Sequence, residues 1–342
     1  MQSENKSHSL HKVTFYCSSS LSPLRWIINQ FQTGITTLII LLTALSIILP
    51  GAAFGDNTDK LPDVISLFKA AREKGEYKTI PEAKLTIIEN LFKRMLSGDR
   101  SQELFLAWDK QGFTISKAQL EGKEVLALAE KPDQKLGRGF YLFPLVASGS
   151  TVLMMPHGFY DLHTRVIGQY FFGEGMFLAA AWNTVHRNKY PGQIQVTALS
   201  DDPWRWDMAD LPNTCFTAFT RAFAQTKPQG QLVQLHGFAR EKRKSKTAQD
   251  SDLILSNGTV SPRKELFTFG DCLKINLPFM VRLYPVETKD LGASENISAR
   301  ILNSLGHNGF VQMEMSLTFR QKLRSSMIHR QAVLNCMNTS WE

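Results

Sequence analysis

The strongest constraint on the fold is a series of short apolar segments in the second half of the chain. Segments with helical apolar spacing, such as "CFTAFTRAFAQT" (215–226), lie between them. Largely apolar strands that alternate with helices are typical of a parallel sheet that is buried on both faces. The sequence therefore predicts an α/β domain over residues 131–342, with a mainly parallel or mixed sheet covered by helices on both faces. The predicted strands are "TVLMMP" (151–156), "MFLAAAWNTV" (176–185), "QLVQLHG" (231–237), "PFMVRLYP" (278–285) and "GFVQMEMS" (309–316).

The segment of residues 56–130 has a different pattern. Its first half contains "LPDVISLFKAAREKG" and "IPEAKLTIIENLFKRMLSG", which carry apolar residues at helical spacing and each end at a glycine. The following stretch, "ELFLAWDKQGFTISKAQLEGKEVLALAEK", alternates more like strands. We therefore predict an N-terminal accessory α+β segment ahead of the main domain.

The first 55 residues contain a long uncharged stretch between Arg25 and Asp56. Its apolar part, Ile35 to Leu49, has the length of a signal-peptide core, and the small residues of "GAAFG" offer a cleavage site. An uncleaved membrane anchor is the alternative. The basic residues before this stretch favour a cytoplasmic N-terminus. We therefore expect residues 1–55 to be a signal peptide or anchor, with the main domain exported, either periplasmic or tethered to the inner membrane.

The net charge of +8 is spread along the chain, and only "REKRKSK" (240–246) is dense. This run predicts a solvated loop, with contact to an anion or a lipid as the alternative. We expect no nucleic-acid partner. Three cysteines follow the apolar stretch, Cys215, Cys272 and Cys336, and they allow at most one disulfide, whose pair the sequence leaves open.

Metal-competent side chains follow several of the predicted strands. His157, Asp161 and His163 come after the first strand, and His236 lies near the end of the third. Proteins with parallel sheets bind their substrates and cofactors at the carboxyl ends of the strands. Zinc sites of hydrolases use three protein ligands drawn from His, Asp and Glu. The sequence therefore predicts that His157, Asp161 and His236 bind Zn²⁺, with His163 as the alternative to Asp161.

Glu314, near the end of the last predicted strand, is the candidate catalytic residue. A carboxylate that is not a ligand is needed to take the proton from the metal-activated water. Val311, Met313 and Met315 share the opposite face of this strand, so an exposed Glu314 is the alternative. If helices cover both faces, however, a buried carboxylate here is costly unless it is used.

Five segments in order resemble the N-formylglutamate amidohydrolase-like proteins, relatives of the zinc carboxypeptidases and poly-γ-glutamate hydrolases. They are "PHGFYDLHT", "NTVHRN", "VQLHGF", "YPVETKDLGASENI" and "FVQMEMS", and they cover about residues 152–323. The resemblance implies a phosphorylase/hydrolase-like fold, a zinc-activated water and cleavage of an amide in a carboxylate-bearing substrate. It also implies that His157 and His236 are ligands and that Glu314 is the general base or acid. Asp161 follows His157 by four positions, whereas zinc carboxypeptidases have their acidic ligand at the third, here Tyr160.

The same resemblance implies residues that bind the substrate. "NTVHRN" is similar to an Asn-Arg segment that holds a substrate carboxylate, so Arg187 is predicted to bind the carboxylate, with His186 beside it. A salt bridge is the alternative for Arg187. Asn296 precedes a predicted helix, and its side chain is expected either to cap this helix or to face the substrate.

Together these features predict an exported zinc-dependent amidohydrolase or peptidase-like enzyme. Its substrate is expected to be a small amide or peptide that carries a carboxylate, and the membrane is a further partner if the N-terminal segment is not cleaved. The alternative is a membrane-tethered binding or scaffold protein that keeps the hydrolase fold without catalysis.

Overall fold

The computed structural model describes residues 61–72, 77–186 and 209–341. The predicted signal peptide or anchor at residues 1–55 and the predicted carboxylate-binding residue Arg187 therefore lie outside the described residues.

A mixed sheet of nine strands organises the described chain. The strands are β1 (Phe113–Leu120), β2 (Lys123–Glu130), β3 (Phe140–Pro144), β4 (Thr151–Met155), β5 (Ala179–Trp182), β6 (Gln231–Gly237), β7 (Leu253–Ser256), β8 (Val281–Leu283) and β9 (Phe310–Met315). Their order across the sheet is β1-β2-β3-β5-β4-β6-β9-β7-β8. Strands β5, β4, β6 and β9 run parallel to one another, whereas β3 and β7 pair antiparallel to the two sides of this block.

Helices flank the sheet, and the predicted α/β class is confirmed. The longer helices are Val64–Ala71, Glu82–Leu96, Gln102–Lys110, Thr164–Glu174, Cys215–Thr226, Lys264–Asn276, Ile297–Ser304, Leu317–Ser325 and Met327–Ser340, and a short one spans Lys246–Gln249. Within the described ranges, no helix combines the length and apolar character that crossing a membrane requires.

The central strands are buried on both faces, as their continuous apolar sequences predict. In β4, Leu153 and Met155 belong to one core cluster, whereas Val152 and Met154 belong to a second cluster on the other face. Each face is closed by helices, so a polar side chain on either face of β6 or β9 leaves water when the chain folds.

The accessory segment differs from the sequence prediction at Gln102–Lys110, which is a helix where a strand-like pattern was expected. Ser101 caps this helix by accepting a hydrogen bond from the Leu104 amide, and Leu104 and Trp108 are buried four residues apart. The strands β1 and β2 of this segment continue the same sheet through β2–β3 pairing. The proposed boundary at residue 130 therefore falls within one continuous sheet.

A disulfide joins Cys272 and Cys336 and so ties the helix Lys264–Asn276 to the helix Met327–Ser340. The two cysteines are 64 residues apart in sequence. Cys215 is a buried free thiol. The structure thus supplies the pair that the sequence left open.

Candidate metal centre

Three neighbouring parallel strands deliver the predicted site residues to one edge of the sheet. His157 lies two residues after β4, and His236 and Glu314 are the next-to-last residues of β6 and β9. His236 and Glu314 are partners in the β6–β9 register, so their side chains leave the sheet side by side on the same face. The sheet topology therefore brings residues 157, 236 and 314 together from distant parts of the chain.

A tight turn after β4 brings Asp161 back to His157. The His157 carbonyl accepts hydrogen bonds from the amides of Tyr160, at 2.9 Å, and Asp161, at 2.8 Å. The Asp161 Oδ2 atom then lies 3.2 Å from His157 Nδ1 and 3.9 Å from His236 Nδ1. This turn explains how an acidic residue four positions after His157 reaches the site.

The side chains of His157, Asp161 and His236 form a group that could hold a metal ion. Each offers one ligand atom, and these atoms all lie within 4.8 Å of one another. All three residues are buried. Burial alone would raise the pKa of Asp161, but the His157 hydrogen bond, the two nearby imidazoles and the Gly237 amide together lower it. Asp161 is therefore ionised at neutral pH, as a metal ligand must be.

The Gly237 amide and the Arg320 side chain stabilise the position of the three potential metal ligands. The Gly237 amide donates to Asp161 Oδ2 at 2.8 Å. A side chain at position 237 would meet the Arg320 guanidinium, since an added Cβ would lie 2.5 Å from its Cζ atom. The guanidinium itself donates to the carbonyls of Leu162, at 2.6 Å, and Met315, at 3.1 Å. The loop after β4 is thereby fastened to the end of β9.

Glu314 is buried, and the alternative of an exposed glutamate is excluded. Val311, Met313 and Met315 lie together in one core cluster, as the alternation predicted. Glu314 on the opposite face is nevertheless only 7% exposed. Burial first, and then the negative charge of Asp161, raise the pKa of Glu314 to about 8. A carboxyl group with such a pKa can both accept and release a proton near neutral pH.

Asn296 acts as a helix cap. Its Oδ1 atom accepts hydrogen bonds from the amides of Ser298 and Ala299 at the start of the helix Ile297–Ser304. Its Nδ2 atom donates to Gln234 and Gln312. The cap is therefore shown, and the predicted contact of Asn296 with substrate remains a prediction.

Of the remaining predicted residues, the structure describes His163 and His186. His163 begins the helix Thr164–Glu174 with a φ of 77°, and its Nδ1 atom is 3.4 Å from Arg324 Nη1. It is not part of the group of potential metal ligands in the described chain. The His186 ring lies 5.8 Å from the ring of Tyr160. The position of Arg187 is not described.

A cleft of about 520 Å³ opens above the metal-ligand group. His157, Asp161, His236 and Glu314 line it, and so do Tyr160, Asn296, Lys242 and Arg243. The last two belong to the basic run that the sequence predicts to be a solvated loop. Other cations of this run are used in ion pairs, namely Arg240 with Asp252 and Lys246 with Asp250.

Sequence reasoning missed Lys242 and Arg243 as cleft residues, because a dense basic run carries no sign of which side chains turn inward. It also missed Gln234 and Gln312, which lie on the same strand faces as His236 and Glu314. A signal for these two exists, since "QLH" and "QME" each place a polar residue two positions before the site residue in an otherwise apolar strand.

Comparison of the sequence with protein-family models finds no match, and comparison with curated proteins finds none. Among solved structures, the fold is similar to a candidate carboxypeptidase A from Shewanella denitrificans, at 8% identity and a TM-score of 0.39, covering 66% of this chain and 64% of that one. Succinylglutamate desuccinalase from Vibrio parahaemolyticus matches at 12% identity and a TM-score of 0.38, covering 68% and 79%. A metallo-carboxypeptidase from Burkholderia cenocepacia matches at 12% identity and a TM-score of 0.33, covering 70% of each chain.

At these identities and TM-scores the similarity does not assign a family, and this chain spans less than two thirds of the Shewanella protein. Its function must therefore follow from its own residues.

Proposed function

We propose that this protein is a zinc-dependent amidohydrolase or peptidase-like enzyme of the N-formylglutamate amidohydrolase-like kind. It would cleave an amide bond in a small substrate that carries a carboxylate. One observation supports this proposal above the others, namely the meeting of His157, Asp161 and His236 with the buried Glu314 at one end of the sheet.

The donor set fits zinc. Two imidazoles and one carboxylate are a common ligand set of catalytic zinc, and ligand atoms about 2.0–2.1 Å from a tetrahedral ion lie roughly 3.3 Å from one another. Asp161 Oδ2 lies 3.2 Å from His157 Nδ1 and 3.9 Å from His236 Nδ1, and the three ligand atoms all lie within 4.8 Å of one another. The side chains would therefore have to close by roughly 1 Å around an ion. A zinc ion held there would lower the pKa of a bound water to about 7.

Glu314 is proposed to move the proton. Its carboxylate accepts a proton from the attacking water while the water oxygen bonds to the amide carbon. The same carboxyl group then gives that proton to the leaving nitrogen as the C–N bond breaks, which releases a carboxylic acid and an amine. The pKa of Glu314 is about 8 in the metal-free protein, and a cation held by the neighbouring ligands would lower it, so that both the accepting and the donating form are accessible near neutral pH.

Arg243 and Lys242 are proposed to attract the substrate carboxylate, alongside the predicted Arg187. Arg243 is half-buried, and its Nε atom donates to the Ala239 carbonyl at 3.3 Å, which holds the guanidinium at the cleft. Neither cation forms an ion pair within the described residues, unlike Arg240 and Lys246 of the same run. A guanidinium in this state can take a carboxylate with two hydrogen bonds.

We also propose that the main domain is exported, either periplasmic or tethered to the inner membrane. The uncharged apolar stretch before Asp56 supports export. The disulfide between Cys272 and Cys336 adds independent support, because disulfides persist in oxidising compartments.

The test is hydrolysis of N-acyl amino acids by the full-length, zinc-loaded protein, with amino-acid amides that lack the free carboxylate as paired substrates. The wild type should cleave the free acids faster than the amides. Glu314→Gln should lose about 100-fold or more of this activity, since it removes the proton acceptor. Glu295→Gln is the matched control, because Glu295 lines the same cleft but is exposed. Equal activity of Glu314→Gln and wild type would contradict the proposal.

A further inference from the structure

A row of three buried amide side chains connects His236 to Glu314. Gln234 lies on β6 two residues before His236, and Gln312 lies on β9 two residues before Glu314. The two glutamines are partners in the β6–β9 register, and Asn296 bridges them. All of these residues are buried. Such a network is held in a low dielectric, where each hydrogen bond has a strong effect on its neighbours.

The helix cap decides which way the Asn296 amide points. Its Oδ1 atom accepts from the backbone amides of Ser298, at 3.0 Å, and Ala299, at 3.4 Å. A backbone N–H can only donate, so the oxygen must face the helix and the Nδ2 group must face the sheet. There Nδ2 donates to Gln234 Oε1 at 2.7 Å and to Gln312 Oε1 at 3.2 Å.

The orientation of the Asn296 amide determines which nitrogen of His236 carries the proton. Because Gln234 presents its oxygen, the His236 Nε2 atom 3.0 Å away must carry the hydrogen and donate it. In the neutral ring the lone pair then lies on Nδ1, which is the nitrogen nearer Asp161, at 3.9 Å from Oδ2. The tautomer that can bind a metal beside Asp161 is therefore selected by the amide row.

The orientation of the Asn296 amide also determines which group of Gln312 faces Glu314. The oxygen of Gln312 is turned to Asn296, so its Nε2 group faces Glu314 and donates to Oε1 at 3.0 Å. This hydrogen bond fixes one oxygen of the carboxyl group. Glu314 also lines the cleft.

We propose that Asn296 is a positioning residue that acts through Gln234 and Gln312. It sets the tautomer of His236 and the orientation of Glu314 from the start of the helix Ile297–Ser304. The use of these settings in catalysis rests on the proposed function, whereas the tautomer of His236 can be measured without any metal.

The first experiment reads the imidazole nitrogens by long-range ¹H–¹⁵N NMR of the metal-free full-length protein, in a pH range where the ¹⁵N signals of His236 no longer change with pH and the ring is neutral. Wild-type His236 should carry its proton on Nε2. Asn296→Ser keeps a cap oxygen for the helix but removes the Nδ2 donor, so both glutamines lose their fixed orientation. The signal of His236 should then shift toward a mixture of tautomers. Gln234→Leu should do the same, whereas Gln234→Glu keeps the acceptor and should preserve the Nε2–H form.

The second readout is zinc affinity of the same proteins. Loss of a partner that orients a histidine ligand weakens metal binding by about 10- to 100-fold, and we expect this for Asn296→Ser and Gln234→Leu. Ser101→Ala is the matched control, because it removes the cap of the helix Gln102–Lys110, away from the cleft. It should lower thermal stability while the tautomer and the zinc affinity stay as in wild type.

An unchanged His236 tautomer in both Asn296→Ser and Gln234→Leu would overturn the proposal, and so would a wild-type ring protonated on Nδ1. An equal shift in Ser101→Ala would overturn it as well, because the effect would then come from lost stability. If the tautomer responds as expected but wild type binds no zinc, the positioning role stands and the proposed function fails.

Discussion

At the scale of single residues, two buried carboxyl groups in one site have opposite pKa shifts. The pKa of Asp161 is lowered because the His157 hydrogen bond and nearby positive groups outweigh its burial. The pKa of Glu314 is raised to about 8, because burial dominates and Asp161 adds a like charge. Groups whose surroundings separate their pKa values in this way suit different tasks. Asp161 stays ionised as a ligand, and Glu314 exchanges a proton.

The raised pKa of Glu314 predicts how the stability of the metal-free protein depends on pH. Between the ordinary pKa of 4.5 and the folded value of about 8, the folded state binds the proton and the unfolded state does not. The contribution of Glu314 to stability is therefore complete below about pH 4.5 and is lost as the pH rises to about 8. The free energy of unfolding of wild type should therefore fall by several kcal/mol over this range, and Glu314→Gln should not show this fall.

Chemical denaturation of both proteins at several pH values between about 5 and 8 measures this difference. The free energy of unfolding of wild type should fall relative to that of Glu314→Gln as the pH rises. Asp161 acts in the opposite direction, since its lowered pKa contributes stability that is lost only as the pH falls below about 3.8. Parallel pH profiles would show that Glu314 ionises normally in the fold.

At the scale of the elements, one side chain fastens three segments together at the site. The Arg320 guanidinium donates to the carbonyls of Leu162 after β4, Phe238 after β6 and Met315 at the end of β9. Arg320 lies in the helix Leu317–Ser325, which follows β9 directly. The planar fork of donors is needed for this geometry, because one ammonium group cannot reach carbonyls on several sides.

Arg320→Lys keeps the positive charge but should lose most of these hydrogen bonds to backbone carbonyls. We expect a loss of about 1–3 kcal/mol in the free energy of unfolding, from buried carbonyls left without a partner. Zinc binding should weaken, because the carbonyl of Leu162 next to Asp161 is released. Arg324→Lys, on the exposed side of the same helix, is the control and should behave like wild type. Calorimetry with and without zinc tests this, and a stable Arg320→Lys protein with unchanged zinc affinity would refute it.

Elements with a strong period were predictable, and those defined by context were not. Strand β6 occupies the predicted residues 231–237, because Leu232, Val233 and Leu235 form a short apolar segment that is bounded by Gly230 and Gly237. Strand β7, Leu253–Ser256, was missed, since four residues are too few to show a period. The sequence pattern over Gln102–Lys110 predicts strands, but the segment is a helix, for which Ser101 offers a cap and Leu104 and Trp108 have the spacing.

At the scale of the whole molecule, the disulfide between Cys272 and Cys336 closes a long loop that contains β8 and β9. A crosslink over 64 residues should stabilise the fold by about 4 kcal/mol, mainly by restricting the unfolded chain. Reductant should thus lower the melting temperature of wild type. The double variant Cys272→Ser, Cys336→Ser should have a lower melting temperature than oxidised wild type, and reductant should not change it. A wild-type melting temperature that does not respond to reductant would contradict this prediction.

The candidate site was predictable in part, because strand ends can be located from sequence. His157, His236 and Glu314 each lie at the end of an apolar run, and parallel pairing brings them together. Asp161 depends on a turn whose geometry the sequence does not reveal. Gln234 and Asn296 act through side-chain hydrogen bonds across strands and helices, and such long-range contacts have no local pattern.

The most direct test of the metal centre is the zinc content of full-length protein after exposure to zinc and removal of excess metal. Wild type should retain about one zinc ion per chain. His236→Ala should lose it, and His163→Ala should keep it, because His163 lies outside the group of ligands in the described chain. A wild-type protein that holds no zinc, or a His163→Ala protein that loses it as His236→Ala does, would contradict the proposed centre.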